Sequence, residues 1–235
     1  MVKIYIGTSA NGEDSEAELT LEYTLRKNSS CAPEIIWMRQ TRDTSSIWGG
    51  WKTNQWHTPF SGFRWAIPEA NQFKGRAIYM DVDMVDFRDI NELFTTDMKD
   101  KPLLLRAYNG TKNSSVILFD CEKCQQYLPP ISKLKSNEYV YSQINNKMST
   151  LAGTYDDRWN CMDGENLKIE DIWHLHYTRM PSQPWKPKWF KGVPQVHHRP
   201  EIYKLWFTLR DEALEAGYKA PTDYEPFGKY DIIGQ

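Results

Sequence analysis

Two aspartates that follow an apolar run are the first candidates for chemistry in this chain. The run is Ala77-Ile78-Tyr79-Met80, and Asp81 and Asp83 come directly after it. Because alternate residues of a strand point to the same side, both carboxylates are predicted to face one ligand beyond the strand end. Two carboxylates this close repel each other unless a cation lies between them. Oxygen ligands of this kind suit Mg²⁺ or Mn²⁺, which also accept phosphate oxygens.

The alternative interpretation of this D-x-D pattern is a solvated strand end. Asp89 is predicted to cap the helical turn that follows, and Asp86 is predicted to lie at the surface. A calcium loop of the EF-hand type is excluded, because Val85 takes its fifth position and Asp86 takes the place of its glycine.

Composition indicates a globular protein with a core of its own. The chain has 235 residues, a net charge of −2, 40% hydrophobic residues and ten tryptophans. A chain of this length needs no disulfide staple, and four cysteines are too few for a disulfide scaffold, so we expect a reduced, cytoplasmic protein. Cys121 and Cys124 lack a second ligand pair at zinc spacing and are predicted to pack. No apolar run reaches 18 residues, so no membrane span is expected.

The elements that must position the aspartates follow an alternating pattern. A strand over 3–7, a helix over about 15–27 opened by a Ser15-x-x-Glu18 capping box, and a strand over 34–38 predict a right-handed crossover. Further strands are predicted at 77–80, 101–108, 114–119 and 172–178, and helical segments at 60–67 (ended by Pro68), 121–128, 137–147 and 200–217. No repeat or clean linker interrupts the chain. We therefore expect one α/β domain over 1–218 with a C-terminal tail, 219–235, packed on it.

The order of several motifs resembles glycosyltransferases of the GT-A fold. The motifs are T-P-F-S-G-F-R (58–64), the strand that closes in D-x-D, S-S-V-I-L-F (114–119) and H-Y-T-R-M-P-S-Q-P-W-K (176–186). Their order and spacing are similar to those of the retaining enzymes of glycosyltransferase family 8, which include glycogenin and bacterial galactosyltransferases. The resemblance covers about 3–210. It implies a mostly parallel, Rossmann-like sheet flanked by helices.

The resemblance also implies a reaction and a cofactor. A sugar would move from a nucleotide-diphosphate donor, a UDP-sugar, to a hydroxyl acceptor with retention of configuration. Asp81, Asp83 and His176 would hold Mn²⁺ or Mg²⁺ on the diphosphate, and Asp81 would also reach the ribose. His174 would stand behind these ligands.

The resemblance further assigns residues to the donor. Gly7, Thr8 and Ser9 would lie under the base and ribose, Arg64 would contact the diphosphate or sugar, and Ser114 and Ser115 would lie against the donor sugar. Two departures stand out. Thr8-Ser9 follow the first strand where relatives often carry an acidic residue. A basic residue usually precedes Pro-Trp, whereas here the order is Gln183-Pro184-Trp185-Lys186. Lys186 is therefore predicted to bind the leaving diphosphate, and Arg179 is its competitor.

Acidic residues before the late strand are candidates for orienting the acceptor. They are Asp156, Asp157 and Asp163, and ordinary loop carboxylates are the alternative interpretation. Because W-N-C-M-D-G resembles the acceptor-side loop of the family, Asp163 is the favoured catalytic candidate.

The segment 174–210 holds seven Lys or Arg residues against one acid, Glu201, with Trp185, Trp189 and Phe190 between them. Such a composition is typical of a nucleic-acid-facing surface. The competing interpretation assigns the cations to the donor diphosphate and to a solvated face. Compact phage enzymes that glycosylate hydroxymethylated DNA bases in the host cytoplasm would fit the first interpretation. The residues predicted to stack on a flipped base are Trp48, Trp51, Trp56 and His57.

Two other function classes remain open from the residues alone. A two-metal nucleotidyl or phosphoryl transferase would need a third well-placed carboxylate. A non-catalytic sugar- or nucleic-acid-binding module would not need Asp81, Asp83 and His176 together.

Overall fold

The structure is a computed structural model that describes residues 1–53, 56, 58, 60–136, 138–186 and 192–225. The strands are β1 (Lys3–Gly7), β2 (Glu34–Met38), β3 (Arg76–Asp81), β4 (Met84–Asp86), β5 (Leu103–Tyr108), β6 (Thr111–Asp120), β7 (Gly153–Thr154), β8 (Cys161–Met162) and β9 (His174–His176). The α-helices are α1 (Ser15–Asn28), α2 (Ile67–Ala70), α3 (Ile90–Phe94), α4 (Cys121–Cys124), α5 (Ile131–Lys135), α6 (Tyr141–Leu151) and α7 (Pro200–Glu215). Short 3₁₀ helices cover Ser61–Ala66, Asp157–Asn160, Ile169–Asp171 and Met180–Ser182.

A six-stranded sheet in the order β2-β1-β3-β6-β5-β7 forms the centre of the protein. Strand β1 runs parallel to both β2 and β3, and β5 runs parallel to β7. The predicted α/β domain with a mostly parallel sheet is confirmed. Strand β6 is antiparallel to β3 and to β5, because β5 and β6 form a hairpin whose turn contains Asn109 and Gly110, both at positive φ. A smaller sheet, β4-β9-β8, lies beyond the end of β3.

Period-two alternation divides the core between the two faces of the large sheet. Ile4 and Ile6 of β1 belong to the cluster under α1 and α7, whereas Tyr5 belongs to the cluster on the opposite face. Full burial of one such aliphatic side chain contributes about 1.5–3 kcal/mol. The two faces together hold β1 and β3 rigidly, and the ends of these strands carry the candidate site.

Several predicted helix boundaries differ from the structure. Helix α1 begins at Ser15 as expected, but the Glu18 carboxylate accepts hydrogen bonds from Thr8 and Arg39 and does not close a capping box. Pro68 lies in the first turn of α2 and does not end the helical run, because a proline needs no N–H partner there. The segments predicted at 121–128 and 137–147 are α4 and the later helix α6, with α5 between them.

The tryptophan-rich segment after β2 packs inward. Trp48, Trp51 and Trp56 surround Phe63, with ring centroids 5.3, 5.0 and 5.6 Å from it. Each of the three is at most 9% exposed. The prediction that these tryptophans stack on a flipped base is therefore wrong, and His57 lies outside the described residues.

Within the part of the chain that the structure describes, no helix is both long enough and apolar enough to cross a bilayer. The tail contributes Tyr224 and Glu225, which contact Arg39 and the backbone N–H of Arg42. Residues 226–235 lie outside the described range, so the boundary at 218/219 stays a prediction.

Candidate metal and donor site

The chain leaves the large sheet at Asp81 and enters the small sheet at Met84. In the registers of these sheets Gly7 faces Asp81 and Met84 faces His176. Asp83 therefore lies at the junction, between the end of β3 and the end of β9. One ligand atom from each of Asp81, Asp83 and His176 lies within 4.8 Å of the others. The structure thus brings together the three residues that the sequence proposes as metal ligands.

The buried guanidinium group of Arg64 holds the Asp81 carboxylate in place. Arg64 Nη2 donates to Asp81 Oδ1 over 3.0 Å, and the Tyr79 hydroxyl donates to the same oxygen. Arg64 Nη1 donates to the backbone carbonyl of Ser114 and to its hydroxyl, over 2.6 and 3.0 Å. The guanidinium also lies 4.5 Å from the centroid of the Tyr79 ring. Arg64 is therefore fixed behind Asp81 and leaves Oδ2 of that carboxylate free of these contacts.

Asp83 has one engaged oxygen and one without a hydrogen bond. Gln183 Nε2 donates to Asp83 Oδ2 over 2.9 Å. Asp83 Oδ1 is buried and has no hydrogen-bond partner, although it lies 3.2 Å from His176 Nε2. Burial raises the pKa of Asp83, and the neighbouring His176 offsets part of that rise. A buried acceptor oxygen in this position is costly without a cation or a donor.

When His176 is neutral, it carries its lone pair on the nitrogen that faces the aspartates. Its Nδ1 lies 3.2 Å from Asn160 Oδ1, and Asn160 Nδ2 donates to Asn113 Oδ1 over 3.0 Å. Because that Asn160 oxygen can only accept, it selects the tautomer with hydrogen on Nδ1. Nε2 of the neutral ring is then available to a metal ion, and an oriented histidine of this kind is the usual arrangement around bound metals.

These three residues fit a divalent cation. Two carboxylates and one imidazole suit Mn²⁺ or Mg²⁺ in ligand type, and their mutual distances suit coordination of a single ion. The unpartnered Asp83 Oδ1 is the feature of the protein that such an ion would satisfy.

The residues predicted to bind the donor base surround the end of β1. A Cβ atom at Gly7 would lie 2.8 Å from Phe60 Cδ2, so only glycine fits there. Thr8 Oγ1 donates to Glu18 Oε1 over 2.6 Å, and the buried Ser9 Oγ has no partner. The sequence lacks an acidic residue directly after Gly7, but helix α1 supplies the Glu18 carboxylate to Thr8.

Lys186 is buried beside the same loop. Its Nζ lies 2.7 Å from Asp14 Oδ1 and 3.3 Å from Glu13 Oε1. Burial alone would lower the pKa of Lys186, but the two carboxylates outweigh burial and raise it. The ammonium is therefore a fixed positive charge. Its predicted competitor, Arg179, is exposed and donates to Gln195 Oε1 over 3.0 Å.

The remaining predicted polar residues have mixed surroundings. Ser114 Oγ donates to Asn145 Oδ1 over 3.1 Å, and the N–H of Ser115 donates to Asn113. Asp163 is fully buried: its Oδ1 accepts from the Thr178 hydroxyl over 2.7 Å, and its Oδ2 lies 3.0 Å from His197 Nε2. Asp156 caps the 3₁₀ helix Asp157–Asn160 and pairs with Arg158, and Asp157 is exposed.

Asp86 and His174 are not where the sequence places them. Asp89 caps α3, with its Oδ1 accepting from the Asn91 N–H, so that prediction is confirmed. Asp86, however, is completely buried, and the prediction of a surface position is wrong. Its Oδ1 lies 3.1 Å from His174 Nδ1, while Met84 Sδ lies 3.1 Å from His174 Nε2. His174 therefore pairs with Asp86 inside the small sheet and does not support the metal ligands by a hydrogen bond.

Among the described bases of the segment 174–210, one is buried and two are half-buried. Lys186 is buried, Arg199 donates to the carbonyls of Glu165 and Leu167, and Arg210 pairs with Asp211. Trp185 packs against Trp206, with ring centroids 5.3 Å apart. Of the five bases that the structure describes there, only Arg179 and Lys204 are exposed; Lys188, Trp189, Phe190 and Lys191 lie outside the described residues.

Sequence reasoning missed three polar residues of the site. Asn160 orients His176, Asn113 orients Asn160, and Gln183 holds Asp83. Asn160 and Gln183 stand in the motifs W-N-C-M-D-G and Q-P-W beside charged residues whose type alone indicates chemistry. Amides contribute by orienting ligands, and only the three-dimensional partners reveal that contribution.

Comparison with known proteins supports the fold. No protein-family model matches the sequence, and no curated protein matches it. Among solved structures, galactosyltransferase LgtC in complex with donor and acceptor sugar analogues aligns with a TM-score of 0.60 and 12% identity, covering 90% of this chain and 96% of LgtC.

Two further structures align over most of this chain but over less of their own length. The bifunctional glycosyltransferase WbbM has a TM-score of 0.64 and 11% identity, covering 91% of this chain and 51% of WbbM. Glycosyltransferase GlyE of Streptococcus pneumoniae has a TM-score of 0.59 and 17% identity, covering 94% of this chain and 66% of GlyE. The GT-A fold that the sequence predicts is confirmed, and identities this low show the fold alone.

Proposed function

We propose that this protein is a metal-dependent glycosyltransferase that moves a sugar from a nucleotide-diphosphate donor, a UDP-sugar, to a hydroxyl acceptor. The observation that carries the proposal is the convergence of Asp81, Asp83 and His176 at the end of β3. Open α/β sheets bind ligands beyond the carboxyl ends of their strands, and this site lies there. The likeness in fold to known glycosyltransferases supports the same reaction class.

The donor would lie between the metal ligands and the loop after β1. A divalent ion bound there would supply positive charge against the diphosphate as it leaves. Arg64 holds the Asp81 carboxylate in place, and Gly7 lets the chain pass close to Tyr79 and Phe60. Thr8 and Ser9 line the start of the β1–α1 loop, and the unpartnered Ser9 hydroxyl is available to the base or ribose.

In the proposed reaction the acceptor oxygen forms a bond to the anomeric carbon, and the bond from that carbon to the diphosphate breaks. The acceptor proton passes to the leaving diphosphate, so no strong protein nucleophile is required and configuration is retained by front-face attack. In the structure the Lys186 ammonium is paired with Asp14 and Glu13. It would serve the leaving diphosphate by exchanging these carboxylates for phosphate oxygens, because an oriented positive charge stabilises a developing anion.

Asp163 is proposed as a positioning residue on the acceptor side. Its N–H donates to the His176 carbonyl over 2.9 Å, and its carboxylate binds Thr178. Because its oxygens are occupied in this way, Asp163 would act through the segment that follows β9. Arg179 is exposed at the end of that segment and remains a candidate for contact with diphosphate or acceptor.

The acceptor is a hydroxyl group whose parent molecule the site does not identify. The buried tryptophans no longer support hydroxymethylated DNA as the acceptor. Three bases of the segment 174–210 do not support it either, because Lys186 is buried and Arg199 and Arg210 are half-buried. Among the described residues, metal-ligand groups converge as one three-residue set, which gives no support to a two-metal phosphoryl transferase. The following experiment distinguishes a transferase from a non-catalytic binding module.

The test is hydrolysis of a panel of nucleotide sugars with Mn²⁺, with and without hydroxymethylcytosine DNA. We expect one nucleotide sugar to be turned over, and we expect Asp83→Asn to lower the rate by about 10²-fold or more, the scale expected when one electrostatic stabiliser is lost. Asp171→Asn is the matched control, because Asp171 is exposed on the 3₁₀ helix Ile169–Asp171 and is not one of the three ligands. Turnover of no nucleotide sugar in either condition would refute the transferase and favour a binding module.

A further inference from the structure

The side-chain amide of Gln183 joins the two segments that carry the metal ligands. Gln183 Nε2 donates to Asp83 Oδ2 over 2.9 Å and to the Tyr177 carbonyl over 2.7 Å. The Tyr177 N–H in turn donates to the Asp83 carbonyl over 2.8 Å. The carboxylate of Asp83 is thereby tied to the residue that follows His176.

Local sequence fixes the position of this amide. Pro184 restricts the residue before it to extended conformations, and Gln183 has φ −63° and ψ 132°. The 3₁₀ helix Met180–Ser182 ends directly before it, and its side chain is only 5% exposed. An amide this constrained loses little rotamer entropy when it binds Asp83, so it is a rigid support.

The other end of the same amide has no partner. Gln183 Oε1 is buried and accepts no hydrogen bond, and Asp83 Oδ1 has no donor when the facing His176 Nε2 is unprotonated. A glutamine whose only task was packing would have both ends satisfied, because an unsatisfied buried acceptor costs about 1–3 kcal/mol. A divalent ion would satisfy Asp83 Oδ1, and a water molecule would satisfy Gln183 Oε1.

The neutrality of the Gln183 amide matters as much as its geometry. A basic side chain at this position would neutralise Asp83 and compete with a metal ion for its oxygen. The neutral amide holds the carboxylate by donating one hydrogen bond and leaves its negative charge available. Partners that orient metal ligands in this way typically contribute 10- to 100-fold to metal affinity.

We propose that Gln183 is a positioning residue for the metal site: it holds Asp83 at the correct distance from His176 and thereby sets the affinity for the divalent ion. This role of Gln183 rests on the proposed function in one respect: a divalent ion must bind at Asp81, Asp83 and His176. The H-Y-T-R-M-P-S-Q segment thereby has a role in the metal site in addition to His176 itself.

The test measures Mn²⁺ affinity of the full chain by electron paramagnetic resonance, without any sugar. Gln183→Met keeps the size of the side chain but removes the donor, and we expect it to weaken Mn²⁺ binding by about tenfold or more. Gln183→Asn keeps an amide that is one methylene too short to reach both acceptors, and it should weaken binding similarly. Gln143→Met is the matched control, because Gln143 is exposed on α6.

Three outcomes are distinguishable. Weakened binding in both Gln183 variants, with Gln143→Met unchanged and with thermal unfolding of the metal-free variants near that of the parent, supports the proposal. Binding within twofold of the parent in either folded Gln183 variant, while Asp83→Asn abolishes it, overturns the role of Gln183 and leaves the proposed function intact. Parent protein that binds no Mn²⁺, or that binds it equally well after Asp83→Asn, refutes both.

A second readout separates positioning from simple loss of stability. In the nucleotide-sugar assay, Gln183→Met should raise the Mn²⁺ concentration needed for half-maximal rate by about tenfold, the same factor as for affinity. At saturating Mn²⁺ the kcat should return to within a few-fold of the parent. A kcat that stays low at saturating Mn²⁺ would contradict a role that acts only through the metal ligand.

Discussion

At the scale of single residues, His176 must be neutral to bind a metal ion. Burial disfavours its charged form, but the carboxylates of Asp83 and Asp81 outweigh burial and raise its pKa above the usual 6.5. In metal-free protein the proton on Nε2 therefore competes with the ion. The same carboxylates that attract the cation also attract the proton that excludes it.

Mn²⁺ affinity is therefore expected to depend on pH. Below the raised pKa of His176 one proton must leave for each ion that binds, so affinity should fall by about tenfold for each pH unit of further acidification. Above that pKa the affinity should level off. Titrations of Mn²⁺ between pH 5.5 and 8.5 check this, with His176→Gln as the variant in which that proton is absent. Equal affinity across the range in the parent would show that His176 is not a ligand.

The charged candidates could be identified from the sequence, because carboxylates and histidine are metal-ligating residue types wherever they occur. Asn160 and Gln183 were missed because an amide has no such signature, and its role follows from its partners. Asp86 failed for a related reason. Asp86 stands among other charged residues, Asp83, Arg88 and Asp89, which favoured a solvated position. In the structure β4 pairs with β9, and the Asp86 carboxylate is buried against His174.

At the scale of elements, the pair of Asp86 on β4 and His174 on β9 links the two strands that flank Asp83. Burial raises the pKa of Asp86 well above its usual value. Burial, together with the charge of His176, lowers the pKa of His174 to about 3. Both shifts have the same cause, since burial disfavours the charged form of each group: it favours a protonated Asp86 and a neutral His174.

The stability contributed by Asp86 should therefore fall as pH rises. Its folded pKa is raised, so the folded protein keeps a proton that the unfolded chain releases above about pH 4. Relative to Asp86→Asn, the free energy of unfolding of the parent should fall by at most about 1.4 kcal/mol per pH unit from pH 4 towards pH 8. Urea unfolding of both proteins across this range measures the difference. Parallel curves would mean that Asp86 is ionised when buried.

The strands marked by apolar runs could be predicted from the sequence, whereas the short helices between them could not be predicted as well. Continuous apolar runs predicted β1, β2 and β3 close to their observed bounds, because β1 and β3 are buried on both faces of the sheet. Strand β6 begins at Thr111, three residues before its predicted start, because its first half is polar and only partly buried. Helices α4 and α5 are four and five residues long, and tertiary packing holds them where intrinsic propensity is weak. The antiparallel hairpin of β5 and β6 depends on a turn that the sequence marks only by Asn109-Gly110.

At the scale of the whole molecule, the tail returns to the loop that follows β1. The Tyr224 ring packs on Gly12, and Arg39 lies over it at 5.4 Å from the centroid. Glu225 accepts hydrogen bonds from the Thr41 hydroxyl and the Arg42 N–H, over 2.9 and 2.8 Å. The described part of the tail thus lies beside the loop whose residues are proposed to bind the donor base.

This contact is testable through glycine. Gly12 has φ +82°, and a Cβ there would lie 2.6 Å from Tyr224 Cδ2, whereas Gly75 has φ +60° and nothing within 4 Å. Gly75→Ala should cost only the left-handed backbone conformation, about 1–2 kcal/mol. Gly12→Ala should cost that amount plus about 1–3 kcal/mol of overpacking against the ring.

The extra cost should disappear when the ring is removed. In a Tyr224→Ala background, Gly12→Ala is expected to cost no more than Gly75→Ala, because only the backbone strain remains. The cost of Gly75→Ala should be the same in both backgrounds, since Gly75 has no contact with the tail. Urea unfolding of the six proteins gives the coupling directly. Additive effects of Gly12→Ala and Tyr224→Ala would show that the tail does not rest on the loop after β1 in solution.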